Sequence, residues 1–306
     1  MSITAAEQQF QLGLKYFLGR GLPQSFKKAM EFFVPSAAQG HPRANYHCGL
    51  CYHDGKGVAL DLKKAHDCYL IAAEAGHSMA RFNLGTLYRD GKGVAKDLKT
   101  AAMHFGIAAD GGDSCAQFEI AMAFHEGVGI GKNEVRAVHY YRLAADQGDK
   151  FAQHNLGICL RDGKGVAKDA KAAVELFQQA AEAGNDFAMS SLGECYELGV
   201  GLPNKDLAVA KEWYAKAARL GNVWAQQRLK LLQPPAEAPP VSQTPTISGA
   251  AGADKKAAGE KVENGIHPSP VKPLLLSPQP TQRPATGMLE PDPALRANLL
   301  ESIKSL

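Results

Sequence analysis

The chain has 306 residues, with 34 basic and 31 acidic side chains and a formal net charge of +3. That balance argues against a nucleic-acid partner held by bulk charge, and no run approaches the ~18 apolar residues of a membrane span. Length alone predicts two globular domains of ~150 residues each, and 31 glycines stand out against a usual share of ~7%.

Residues 1–4 form a short lead. The opening MSITAAEQQFQLGLKYF lacks a basic leader before an apolar stretch, so no secretory signal and a cytoplasmic location are expected. The six cysteines, Cys48, Cys51, Cys68, Cys115, Cys159 and Cys195, are too sparse for a disulfide scaffold and read as reduced, partly buried thiols.

From residue 5 the chain repeats. G-x-G triplets begin at Gly19, Gly55, Gly91, Gly127, Gly163 and Gly199, each 36 residues after the last. A leucine-glycine pair or its variant keeps the same step, as at Leu12-Gly13, Cys48-Gly49, Leu84-Gly85, Ile120-Ala121, Leu156-Gly157 and Leu192-Gly193. Aromatics recur at Phe33, Tyr69, Phe105, Tyr141, Phe177 and, after one extra residue placed near Leu207 to Ala210, at Tyr214. Units therefore span about 5–40, 41–76, 77–112, 113–148, 149–184 and 185–221, and 222–232 reads as a capping helix. A period of this length marks a solenoid. Within a unit the spacing is helical: Ala80, Leu84 and Tyr88 share one face, and Ala101, Phe105 and Ala108 another. Glycines between them end the first helix, and Asp97 is placed to cap the second.

After Leu232 prolines accumulate and Phe, Trp and Tyr vanish. Residues 233–291 read as a proline-rich disordered linker. The stretch 292–306 has an N-cap in Asp292, Pro293 behind it, and an apolar stripe of Leu295, Leu299, Ile303 and Leu306. It reads either as a short amphipathic helix or as a disordered end.

The unit spanning 80–112 resembles the Sel-1-like repeat, a relative of the tetratricopeptide repeat with a longer inter-helix loop, and five further copies follow the same pattern. The resemblance covers residues 5–232. It implies an all-α fold, a right-handed α-solenoid of helix–turn–helix units. It also implies a non-catalytic scaffold or adaptor that binds another protein.

Chemistry-bearing motifs are weak. Cys48 and Cys51 with His41, His47 and His53 nearby suggest zinc, but both cysteines stand in packing columns and no second pair completes a site. No nucleophile elbow, zincin motif or phosphate loop is present, so no enzyme activity and no cofactor are expected. Some Sel-1-like proteins are described as hydrolysing penicillin, but this chain lacks that subgroup's paired cysteines. An effector that binds a host protein is a further alternative.

A solenoid's first helices line its concave side. On the helical wheel three columns face the groove. The first holds Phe10, Tyr46, Phe82 and Phe118, followed by His154 and Ser190. The second holds Leu14, Leu50, Thr86, Met122, Ile158 and Glu194, and the third Phe17, His53, Arg89, His125, Arg161 and Glu197. Phe10, Tyr46, Phe82, Phe118, Leu50, Met122, His53, Arg89, His125 and Arg161 are the candidate contacts for a peptide or amphipathic helix. The chain's own C-terminal helix is one candidate occupant. The competing reading of the aromatic column is packing inside the stack.

Overall fold

The computed structural model describes residues 4–232, so the expected linker at 233–291 and helix at 292–306 lie outside the described residues. Helices alternate with loops and no strand occurs among the described residues. In chain order the units are α1 (Ala5–Leu18) with α2 (Phe26–Ala38), α3 (Pro42–Asp54) with α4 (Leu62–Glu74), and α5 (Ser78–Asp90) with α6 (Leu98–Asp110). Then come α7 (Ser114–Glu126) with α8 (Glu134–Asp146), α9 (Lys150–Asp162) with α10 (Ala170–Glu182), and α11 (Asp186–Leu198) with α12 (Leu207–Arg219). The single helix α13 (Val223–Leu231) closes the stack. This is the all-α helix–turn–helix solenoid that the period implied.

Local chemistry sets each helix start. Asp97 accepts hydrogen bonds from the backbone N–H groups of Lys99 and Thr100, at 3.0 and 3.1 Å. Asp61, Asn133, Asp169 and Asp206 do the same at α4, α8, α10 and α12. At α3 and α5 the cap is a histidine, His41 or His77, accepting through Nδ1. Each first helix ends on a glycine in the left-handed region, such as Gly91 at φ +67°, where a side chain is strained.

Packing follows from the leucine-glycine column. A methyl group at Gly85 would meet the Phe105 ring at 2.5 Å, and Gly49, Gly157 and Gly193 stand in the same way against Tyr69, Phe177 and Tyr214. The missing side chain lets the unit's own second helix lay its aromatic ring on the first. Between units, the second glycine of the G-x-G loop has the same function: a methyl on Gly93 would collide with Leu62 backbone at the start of the preceding α4. Gly21, in the first unit, has nothing within 4 Å.

A column of side-chain donors seals the unit-to-unit turns. Asn45, Arg81, Gln117 and Gln153 each donate to a carbonyl eight residues earlier, of Ala37, Ala73, Ala109 and Ala145. These carbonyls end the second helices, where each also accepts the N–H of the glycine three residues on, so the side chain supplies a second donor. The extra residue of the sixth unit lies in the loop between Gly201 and Asp206, not at Leu207 to Ala210. A loop absorbs an insertion without shifting the buried register of α12.

Candidate functional site

The aromatic column does not line an open groove. Phe10, Tyr46 and Phe118 are 0%, 8% and 6% exposed, His154 and Ser190 are buried, and Phe82 is half-buried. The reason lies three residues on, at a glycine or, after Phe118, at Ala121. Because the second helix approaches closely there, its ring reaches the residue one turn earlier. Phe10 meets Phe33 at 5.9 Å, Tyr46 meets Tyr69 at 6.1 Å, Phe82 meets Phe105 at 5.7 Å and Phe118 meets Tyr141 at 6.0 Å between ring centroids. The next unit covers the other side: His41 stacks on Phe10 and His77 on Tyr46, while Phe151 lies against Phe118. The wheel assigned this arc to the groove because it describes one helix and not the neighbours that fill its surroundings.

The second column stays partly open. Leu14, Leu50, Thr86, Met122, Ile158 and Glu194 are all half-buried, on successive first helices. Near its centre the Tyr141 hydroxyl donates to Met122 Sδ at 3.0 Å, and Asn155 Nδ2 reaches the same sulfur at 3.3 Å.

The expected cationic rim is half-buried and largely neutralised. Arg89 bridges Asp90 at 2.8 Å and Glu119 of the next unit at 3.0 Å. Arg161 bridges Asp162 at 2.7 Å and Glu194 of the next unit at 3.0 Å. Glu197 binds Arg228 of α13 and accepts from the Tyr214 hydroxyl at 2.8 Å. Partial burial disfavours ionisation of Asp90 and Asp162, yet the adjacent arginine and lysine hold both carboxyls below their ordinary range. His53 contacts Asp54 at 2.9 Å. His125 is held below the usual histidine range by burial, reinforced by Lys164 and Lys132, and its buried Nδ1 has no hydrogen-bond partner. Glu119 is absent from the columns read in sequence because it stands one residue after the aromatic column, at the position that Asn83 and Asn155 hold in neighbouring units. Its signal is an acid 30 residues after Arg89.

Cys48 and Cys51 are buried, and burial pushes the Cys51 thiol up to about 12, with Cys159 and Cys195 up to about 11. Among the described residues no group of three or more His, Cys, Asp or Glu is arranged to hold a metal ion. No described helix is long and apolar enough to cross a membrane.

Comparison with known proteins places this architecture. The Sel1 repeat family model matches residues 6–41, 42–77, 78–113, 116–149, 150–185 and 186–222. The structure is similar to that of c5321, a protective antigen present in uropathogenic Escherichia coli strains displaying an SLR fold, with 31% identity and a TM-score of 0.69. That match covers 74% of this chain and 48% of the antigen, so the chain spans about half of that relative. A Sel1 repeat protein from Oxalobacter formigenes is similar at 32% identity and a TM-score of 0.67, over 72% of this chain and 86% of that one. No curated protein matches. With six matched repeats coinciding with six helix–turn–helix units, the chain belongs to the Sel1 repeat family.

Proposed function

We propose that the chain is a non-catalytic scaffold or adaptor that holds a peptide or amphipathic helix of another protein against its first helices. Sel1 repeat proteins are commonly protein-interaction scaffolds. The observation that carries the reading is the half-buried apolar row of Leu14, Leu50, Met122 and Ile158, which is repeated along the stack while the aromatics beside it are committed to packing. A helix that presents apolar residues every three to four positions matches such a row.

The test uses Leu50→Ser, Met122→Ser and Ile158→Ser together, because Phe118→Ala would open a cavity and confuse unfolding with lost binding. A partner retained by the wild-type chain and lost by the folded triple variant supports the reading. Equal retention overturns it. Repeating the capture without residues 290–306 tests the chain's own C-terminal segment as a competing occupant. Increased capture supports that competition, and unchanged capture sets it aside.

A further inference from the structure

The two edges of the stack differ in charge. One edge is built from the loops that lead from first to second helices. In the first three units, residues 17–28, 53–64 and 89–100, it carries ten basic and four acidic side chains. The opposite edge over the same units, at the turns 36–45, 72–81 and 108–117, carries three acidic side chains and two basic.

All four acids of the basic edge are engaged. Asp61 and Asp97 cap α4 and α6. Asp54 holds Lys56 at 2.8 Å, and Asp90 holds Arg89 and Lys92 at 2.8 and 3.3 Å. Arg20, Lys27, Lys63, Lys96 and Lys99 are exposed and make no ion pair among the described residues. Lys27, Lys63 and Lys99 occupy the same position in three consecutive units, in the first turn of α2, α4 and α6. The positive ends of those three helix dipoles open on the same edge. Cations placed at helix N-termini oppose that dipole, so their positions run against local stability and raise the potential that an anion meets.

We propose that this edge of the first three units docks an extended acidic peptide segment of a protein partner. The loops of neighbouring units touch the helix starts beside them, Gly57 against the backbone of Phe26 and Lys27 and Gly93 against that of Leu62. An extended chain laid along the edge, at ~3.3 Å per residue, therefore passes from one unit's lysines to the next within a few residues. Leu60, 62% exposed, and the half-buried Phe26 sit among the lysines and give the intervening side chains apolar contact. A duplex or a bilayer presents charge over a broad face, whereas these cations form a strip one loop deep. The chain's net charge of +3 also adds little long-range attraction for a large polyanion.

The probe is a fluorescein-labelled peptide repeating Glu-Leu-Ser over about twelve residues, titrated by polarisation with the full chain. Binding is expected to weaken as salt rises and to fall by about tenfold or more in the Lys27→Glu, Lys63→Glu, Lys99→Glu variant. Charge reversal at Lys205, Lys216 and Lys230 is expected to leave it unchanged. The inner-face variant at Leu50, Met122 and Ile158 is expected to bind the probe like wild type, which separates this edge from the apolar row. Absence of binding, equal binding by the edge variant, or tighter binding of duplex DNA or phosphatidylserine vesicles would overturn the proposal.

Discussion

Gly85 and Gly129 carry the same absent side chain for different reasons, and the difference is measurable. A methyl at Gly85 presses on the Phe105 ring, which can yield; the fourth unit already has Ala121 in that column, buried beside Tyr141. A methyl at Gly129 runs into the Leu98 carbonyl, and its φ of +72° is itself strained for alanine. Gly85→Ala should therefore cost ~1 kcal/mol and Gly129→Ala ~3 kcal/mol or more in denaturant unfolding; equal losses would contradict this account. Acid sensitivity belongs to the same scale. Burial lowers His47 and His104 to about 4, His47 among the rings of Phe10, Phe17, Phe33 and Tyr46, and His104 stacked on Tyr88. Unfolded, both would take a proton near pH 6.5. The unfolded chain binds protons first, so stability is full above about pH 6.5 and is lost as pH falls toward 4. Thermal melts across that window should show the decline, and His104→Leu should flatten it; an unchanged slope in the variant would remove His104 as a source.

At the scale of elements, the ends of the stack explain themselves through the columns. Where inner units bury Ala44 or Ala80 and Cys51 or Leu87, α1 presents the exposed Gln8 and Lys15. Where inner units keep glycine for an incoming ring, α13 carries exposed Lys230. Polar replacements at such positions are what a terminal repeat requires. The helix α13 still covers its neighbours: Trp224 lies edge-on to Tyr214 at 5.4 Å, Arg228 binds Glu197, and Ala225 is buried. A chain with residues 223–232 deleted should lose hydrogen-exchange protection first in α11 and α12, because nearest-neighbour contacts hold each unit. Uniform loss over all units would instead indicate global cooperativity. The glycine stops and the cap at Asp97 were legible in sequence because capping is local: Asp97 needs only the next three residues to do it, whereas the histidine caps of α3 and α5 were not read. The donor column of Asn45, Arg81, Gln117 and Gln153 was not legible, since three different residue types share one task defined by a carbonyl eight residues back.

At the scale of the whole molecule, two candidate surfaces have different physical origins. The apolar row on the first helices follows from periodicity, and so it could be read column by column. The basic edge follows from where the loops gather, and a net charge of +3 gives no hint of it. The 36-residue period determined the fold, the number of units and the positions of the turns, because each unit contacts only its neighbours and local pattern is nearly the whole pattern. Only the tertiary structure decided which of the wheel's faces stayed open. A small residue at the helix contact, Gly13, Gly49 or Ala121, draws a ring from the second helix over Phe10, Tyr46 and Phe118, and the next unit covers what remains. It likewise spent the charges of Arg89 and Arg161 on acids of the following unit. Burial and ion pairing are properties of a residue's neighbours in space, and a single helix's sequence does not carry them.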